Sequence, residues 1–119
     1  MGTDDTTSPV PTTPAAMSTL TVTVKADPAG AATTWTLQCD PPGGDHPDAA
    51  AACAAISAAA KPFDPVPRGA ICTEIYGGPQ TATITGSWQG RPVTASYRRT
   101  NGCELARWDK LGPVFQLKT

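Results

Sequence analysis

The chain of 119 residues has the length of one small domain. Only 16% of the residues are charged and the formal net charge is -1, so the composition indicates no surface for nucleic acid or for an anionic membrane. No apolar run approaches the roughly 20 residues that cross a bilayer, and we expect no membrane insertion.

Residues 1–17 are mainly Thr, Ser, Pro, Asp and Ala and contain almost nothing to bury. This composition predicts a disordered leader ahead of one folded domain at residues 18–119. The chain starts with Met1-Gly2 and shows no signal peptide, so we interpret it as a mature form. A leader of this kind is compatible with a tether to a removed or lipidated N-terminus.

Two strands are predicted at the start of the domain. Apolar residues alternate with threonines over residues 19–25, which is typical of a half-buried antiparallel strand. Turn residues follow at 27–30. Alternation resumes over residues 33–39 and brings three side chains to one face: Trp35, Leu37 and Cys39.

A helix is predicted from Asp45-His46-Pro47-Asp48 through an alanine-rich run to Ala60. A proline in the first turn and an acidic residue near a helix start are both favourable. We interpret His46 as a surface cap rather than a ligand, and Asp45 and Asp48 as helix-start charges rather than an acid–base pair. Residues 61–69 contain three prolines and are predicted to form a rigid arm.

Residues 69–79 contain a cysteine near their centre, a proline-rich run before it and Gly77-Gly78-Pro79 after it. Such punctuation indicates an ordered loop. A disulfide from Cys72 to Cys103 would fix this loop on the hairpin that follows and present residues 73–76 to a partner. The alternative is an ordinary connecting loop beside a structural disulfide.

The last third of the domain predicts a β-hairpin, with alternating strands at 81–85 and 93–99 around Trp88-Gln89-Gly90. Asn101-Gly102-Cys103-Glu104 then predicts a tight corner, residues 105–111 a helical turn and residues 114–117 a last strand. We therefore expect an α+β fold, with an antiparallel sheet of about five strands, one or two short helices and two disulfides.

Four cysteines, 13 prolines and 11 glycines are typical of a secreted domain that disulfides stabilise. Four cysteines allow three pairings, and we predict sequential pairing of Cys39 with Cys53 and of Cys72 with Cys103. Each closed loop could contribute about 3–4 kcal/mol of stability. No Cys-x-x-Cys pair is present and the single histidine has no partner at zinc-finger spacing, so we expect no metal site.

Little in the sequence could build a catalytic site. One histidine, no Cys/His pair and no glycine-rich phosphate loop make an enzyme or a cofactor site unexpected. Arg98, Arg99 and Arg107 could bind an anion, but we interpret them as surface ion-pair partners. A cross-linked loop instead fits recognition, because it has lost conformational freedom before it binds.

Several motifs occur in a specific order along the chain. They are Cys39-x-Pro41, Gly44-Asp45-His46-Pro47, Ala51-Ala52-Cys53-Ala54, Cys72-x-x-x-Tyr76, Gly86-Ser87-Trp88-Gln89-Gly90-Arg91 and Asn101-Gly102-Cys103-Glu104. With the four cysteines, this combination resembles the Streptomyces subtilisin inhibitor family from about residue 18 to residue 117.

The resemblance implies a secreted inhibitor of serine endopeptidases, usually a homodimer, with the disulfides paired as above. It places the primary specificity residue two positions after the third cysteine, so the reactive bond would be Glu74–Ile75. It also implies support of the loop by Asn101 from behind. The remaining protease-binding residues would be Ile71, Cys72, Thr73, Tyr76 and Gly77. A homodimer would be favoured if the alternating strands exposed a second apolar face.

Glu74 departs from the family pattern, in which Met, Lys or Arg is more common at this position. A carboxylate desolvated in an apolar pocket costs several kcal/mol unless it is paired. Either the target has a basic or polar specificity pocket, as in a glutamate-specific protease, or affinity for subtilisin-like proteases rests on the flanking residues. The alternative function is a secreted or cell-surface binding module that keeps the fold without inhibiting a protease.

Overall fold

The computed structural model describes residues 18–116, and its framework is a five-stranded antiparallel sheet with the strand order β3-β2-β1-β4-β5. The strands are β1 Ser18–Lys25, β2 Ala32–Cys39, β3 Gly43–Gly44, β4 Thr81–Trp88 and β5 Arg91–Arg98. Alternation explains the central strand: Leu20 and Val22 are fully buried, whereas Thr19 and Thr21 are exposed. The predicted leader at 1–17 lies outside the described residues.

Three helices lie on the buried face of the sheet: α1 Ala49–Ala58, α2 Gly102–Lys110 and α3 Gly112–Phe115. Helix α1 packs against β2, α2 against β5, and α3 against both α1 and β1. Small alanine side chains let α1 approach the sheet closely with Ala52, Cys53 and Ile56 buried. Within residues 18–116, no helix has both the length and the apolar character that crossing a membrane requires.

Three aromatic rings pack against one another in tilted contacts at the centre of the core, and we call them the aromatic column. Trp108 of α2 and Phe115 of α3 are fully buried, and their ring centroids lie 4.6 Å apart. The ring of Tyr97 in β5 lies 4.9 Å from Phe115. Large apolar side chains of this kind stabilise a small domain most per residue. The column therefore links helices α2 and α3 to strand β5.

The predicted α+β class, the five-stranded antiparallel sheet and the two disulfides are confirmed. Cys39 pairs with Cys53 and joins β2 to α1, and Cys72 pairs with Cys103 and joins the 69–79 segment to α2. The hairpin prediction is also correct, because Trp88 of β4 faces Arg91 of β5 across a turn in which Gln89 and Gly90 have positive φ.

The end of the chain differs from the prediction. Val114 and Phe115 form helix α3 instead of a last strand, because Phe115 packs on the aromatic column and Pro113 suits a first helical turn. The fifth strand is β3, which pairs with Leu37 and Gln38 of β2. Residues 101–104 are not a tight corner either, since helix α2 already begins at Gly102.

His46 is buried, so its interpretation as a surface cap is wrong. Its Nδ1 accepts a hydrogen bond from the Asp48 N–H (3.0 Å), so Nε2 must donate to the Val114 carbonyl oxygen (2.7 Å). The imidazole also makes an edge contact with Trp35, at 5.0 Å between ring centroids. His46 therefore ties α3 to the segment between β3 and α1.

The two neighbouring acidic residues also have different positions from those predicted. Helix α1 begins at Ala49 with Asp48 as N-cap residue, although the Asp48 side chain makes no capping hydrogen bond. Asp45 lies before the helix, and its Oδ1 accepts a hydrogen bond from the Thr36 N–H. Asp45 thus completes the exposed edge of β2, and only Asp48 lies at the helix start.

The outer face of the sheet is hydroxylic in the described residues, so the condition of a second apolar face, which would have favoured a homodimer, is not met there. Its exposed side chains include Thr19, Thr21, Thr83, Thr85, Thr94 and Ser96. Threonine suits a strand because it is β-branched, and it leaves this face hydrated. The sheet alone thus gives no hydrophobic reason for two copies to pair.

Candidate functional site

Residues 71–77 form an exposed loop without helix or strand, which we call the presented loop. Within residues 18–116, the large hydrophobic side chains that remain exposed are Ile71, Ile75 and Tyr76, with exposed fractions of 99%, 59% and 65%. All three belong to this loop, and Thr73 and Glu74 between them are exposed too. Apolar side chains grouped in one exposed segment are typical of a surface that contacts a partner.

The first flank of the presented loop is fixed by one covalent bond and one hydrogen bond. The Cys72–Cys103 disulfide has a Cα–Cα distance of 5.3 Å. The next residue, Thr73, accepts a hydrogen bond at its carbonyl oxygen from the Gly102 N–H (2.8 Å). Glycine permits this close approach, since a Cβ at Gly102 would clash with the Thr73 side chain.

The second flank is fixed at Gly77 by two hydrogen bonds to one residue. The Gly77 N–H donates to the Arg99 carbonyl oxygen (2.7 Å), and the Arg99 Nε–H donates to the Gly77 carbonyl oxygen (3.2 Å). Both flanks therefore rest on residues 99–103, which we call the supporting segment. Among the described residues, Glu74, Ile75 and Tyr76 make no hydrogen bond to the rest of the protein.

Asn101 lies in the supporting segment, where its side chain caps helix α2. Its Oδ1 accepts a hydrogen bond from the Glu104 N–H (2.9 Å), and its backbone oxygen accepts one from the Leu105 N–H (2.9 Å). Such an N-cap satisfies backbone donors that would otherwise lack partners in the first turn. The cap fixes Gly102 against Thr73. Direct support of the loop by the Asn101 side chain stays a prediction.

Arg99 is the buried residue in contact with the presented loop that the sequence interpretation missed. Only 5% of it is exposed, and its guanidinium carbon lies 5.3 Å from the centre of the Trp108 ring. The other two arginines do form ion pairs, since Arg98 and Arg107 both contact Glu104. The alternation of strand β5 could have indicated the burial of Arg99. Val93, Ala95 and Tyr97 are buried, and residue 99 is the next position with the same spacing of two.

The arm that leads into the presented loop is held by a buried hydroxyl. The Tyr97 OH donates a hydrogen bond to the Pro62 carbonyl oxygen (2.6 Å). Burial raises the pKa of Tyr97 to about 12, although the nearby positive charge of Arg107 opposes this rise. The phenol therefore stays neutral and keeps donating to the arm throughout the physiological range.

The geometry suits recognition of the loop by a partner. Within residues 18–116, no group of three or more His, Cys, Asp or Glu side chains could hold a metal ion. The single histidine is committed on both nitrogens, and the cysteines of the two disulfides carry no free thiol. What the arrangement presents is an exposed peptide segment whose Glu74–Ile75 bond lies between two anchored flanks.

Comparison with known proteins agrees with this picture. The model of the subtilisin inhibitor-like family matches residues 14–101. Subtilisin inhibitor-like protein 2 of Streptomyces rochei is 39% identical over 107 residues, covering 84% of this chain and 92% of that protein. A transglutaminase-activating metalloprotease inhibitor of Streptomyces mobaraensis is 36% identical over 109 residues, covering 85% of this chain and 72% of that protein.

A solved structure supports the fold. Sermetstatin of Streptomyces caespitosus, crystallised in complex with Bacillus licheniformis subtilisin, has a TM-score of 0.55 and 24% sequence identity, and the match covers 85% of this chain and 99% of that one. The relatives named here are called inhibitors and none is called an enzyme, which supports the expectation that this chain is not an enzyme. Because the family model matches more than half of the chain, the chain belongs to the subtilisin inhibitor-like family.

Proposed function

We propose that this protein is a secreted inhibitor of serine endopeptidases that presents Glu74–Ile75 as a substrate-like bond. The observation that carries the proposal is the anchoring of Thr73 and Gly77, on either side of that bond, to one supporting segment. A peptide held in this way has lost most of its conformational freedom before it binds. The solved relative in complex with subtilisin supports a serine protease as the partner.

In the proposed reaction the serine Oγ of the protease attacks the carbonyl carbon of Glu74. The bond from that carbon to the Ile75 nitrogen breaks, and the serine proton passes through the base of the protease to that nitrogen. An acyl-enzyme and a free amine on Ile75 result. The anchored flanks keep the amine close to the ester, so the peptide bond re-forms faster than water hydrolyses the ester.

Glu74 would select the target through its charge. A central residue that fills a pocket dominates the energy of a protease–inhibitor interface, while its neighbours mainly exclude water. The carboxylate of Glu74 is exposed in the free protein and would lose water on entering a pocket. Only positive or hydrogen-bonding groups in that pocket offset the loss. We therefore infer a preference for glutamate-specific over chymotrypsin-like proteases.

Secretion and assembly are further parts of the proposal. Two disulfides between four cysteines fit an oxidising compartment such as the extracellular space. A homodimer is implied by the family resemblance. The outer sheet face is hydroxylic, so its pairing would rely on hydrogen bonds and shape more than on apolar area. Sedimentation at micromolar concentration tests this, and a monomer there would count against the dimer.

The test of inhibition is a protease panel of subtilisin, trypsin, chymotrypsin and a glutamate-specific protease. We expect tight binding of at least one of them and slow cleavage after Glu74, located by mass spectrometry. Asp64→Asn is the control for loss of a surface carboxylate, because Asp64 is exposed on the arm and lies outside the presented loop. Absence of binding to every protease would favour the alternative, a binding module of the same fold.

A further inference from the structure

Arg99 carries a buried charge for which the core alone gives no reason. It is 5% exposed, and within residues 18–116 it takes part in neither of the ion pairs, which join Arg98 and Arg107 to Glu104. Its Nη1 is buried without a hydrogen-bond partner in the described part of the chain. Burying a guanidinium without a carboxylate partner costs free energy, so we expect Arg99 to have a role outside the stability of the core.

The hydrogen bonds that Arg99 makes in the described part of the chain all go to Gly77 of the presented loop. Its guanidinium carbon lies 5.3 Å from the centre of the Trp108 ring, so the charged group packs against the aromatic column. From there Nε donates to the Gly77 carbonyl oxygen (3.2 Å), while the Arg99 backbone oxygen receives the Gly77 N–H (2.7 Å). A hydrogen bond from a charged donor is about twice as strong as one between neutral groups.

The two flanks need different kinds of support once the loop is cut. The acyl side keeps a covalent link to the scaffold, because Cys72 lies two residues before Glu74 and is bonded to Cys103. The amine side, Ile75 to Gly77, has no such link, and the sheet begins again only at Thr81. The Gly77 contacts with Arg99 are therefore what holds the new amine near the ester.

We propose that Arg99 is the positioning residue of the amine side, which keeps the cut loop closed and so makes the protein an inhibitor instead of a substrate. The inference rests on the proposed function. Arg99 does not touch the reacting atoms and acts through Gly77. Removing its side chain opens the amine flank, lowers the local concentration of the Ile75 amine and lets water compete for the acyl-enzyme.

Arg107 is a matched control for this proposal. Its guanidinium carbon lies 4.4 Å from the centre of the Tyr97 ring, and its Nη1 donates to the Ser96 carbonyl oxygen (3.0 Å). It therefore shares the stacking and the backbone contact of Arg99 but makes no contact with the presented loop. Arg107 is only partly buried and also pairs with Glu104, so the melting temperatures of the two variants report the general cost of losing each arginine, while only Arg99→Met removes a contact with the loop.

The experiment compares Arg99→Met, Arg99→Lys and Arg107→Met with the wild type. The readouts are the rate of Glu74–Ile75 hydrolysis in the protease complex, the melting temperature and hydrogen exchange of the Gly77 amide in the free protein. We expect about tenfold faster hydrolysis or more in Arg99→Met, since a hydrogen bond from a charged group is lost. Arg99→Lys should lie between, because it restores the charge without the planar fork. Arg107→Met should hydrolyse at the wild-type rate.

Equal hydrolysis rates in Arg99→Met and the wild type, or equal acceleration in Arg99→Met and Arg107→Met, would overturn the proposal. If Arg99→Met does not fold, the comparison of Arg99→Lys with Arg107→Met decides in the same way. If the wild type blocks no protease, the proposed function fails. Hydrogen exchange of the Gly77 amide then still tests whether Arg99 positions the amine side. Faster exchange in Arg99→Met than in Arg107→Met supports that role, and equal exchange refutes it.

Discussion

The two disulfides have similar geometry but lie in different surroundings. Their Cα–Cα distances are 5.7 Å for Cys39–Cys53 and 5.3 Å for Cys72–Cys103. Cys39 and Cys53 are buried in the core between β2 and α1, with exposed fractions of 4% and 8%. Cys72 and Cys103 are only partly buried and join an irregular loop to the start of α2. One crosslink therefore serves the scaffold and the other serves the surface that the scaffold presents.

Loop length alone predicts that Cys72–Cys103 stabilises the protein more than Cys39–Cys53 does. The sequence separations are 14 residues for Cys39–Cys53 and 31 for Cys72–Cys103, so chain entropy favours the second. That difference is less than about 1 kcal/mol, because the entropy grows only with the logarithm of loop length. Buried sulfur atoms in a packed core contribute more than that, since their removal leaves a cavity. We therefore expect the buried disulfide, Cys39–Cys53, to stabilise the protein more.

The largest effect should follow loss of the core disulfide. Changing Cys39 and Cys53 together to alanine should lower the free energy of unfolding by about 4–5 kcal/mol, from about 3 kcal/mol of chain entropy plus the cavity. Urea unfolding followed by circular dichroism measures this. Inhibition per folded molecule should stay near the wild-type value. A smaller loss than in the loop variant would contradict the ranking by burial.

Loss of the loop disulfide should affect function more than fold. Changing Cys72 and Cys103 together to alanine should cost about 3–4 kcal/mol by loop closure alone. The first flank then keeps only the hydrogen bond from Gly102 to Thr73, so the protein should be hydrolysed as a substrate. Unfolding in urea and cleavage over time are measured on the same samples. Unchanged resistance to cleavage would show that the hydrogen bonds suffice.

The scaffold could largely be predicted from the sequence because its strands alternate. Leu20, Val22 and Leu37 mark buried faces with a period of two, and packing in the structure follows that period. Strand β3 could not be predicted, because Gly43–Gly44 pairs through the backbone and has no side-chain pattern. Helix α3 depends on Phe115 reaching the aromatic column, which is a long-range contact.

The site could be predicted only in part. The position of the presented loop followed from its cysteine and its glycine and proline punctuation. The burial of Arg99 beneath the loop did not follow, and neither did that of His46 in the scaffold, because polar residues are usually exposed. Their burial depends on partners distant in sequence, such as Val114, which lies 68 positions after His46. Which bond a protease would cut remains an implication of family resemblance.

A smaller effect is expected at the centre of the presented loop, where the target and not the scaffold changes. Glu74→Met should reverse the preference between a glutamate-specific protease and chymotrypsin by at least about 2 kcal/mol, near thirtyfold in affinity. Glu74→Lys should recruit trypsin for the same reason. Inhibition constants of the three forms against the three proteases, with circular dichroism as a check of fold, measure this. An unchanged ranking would mean that Glu74 does not enter the specificity pocket.

The smallest effect concerns Tyr97, a scaffold residue that holds the arm leading into the loop. Tyr97→Phe removes the hydrogen bond to the Pro62 carbonyl and should cost about 1 kcal/mol of unfolding free energy at neutral pH. Because burial raises the pKa of Tyr97 to about 12, above its ordinary value near 10, the unfolded chain loses this proton first.

The stabilising contribution of a neutral, buried Tyr97 is therefore complete below about pH 10 and declines as the pH rises toward about 12. The phenylalanine variant has no proton to lose at this position, so its stability should decline less over that window. Tyr76→Phe is the control, because the Tyr76 side chain is 65% exposed on the presented loop. Urea unfolding of all three forms at several pH values up to 12 measures the difference. If the unfolding free energies of Tyr97→Phe and the wild type ran parallel with pH, ionisation of the buried phenol would not contribute to the loss of stability at alkaline pH.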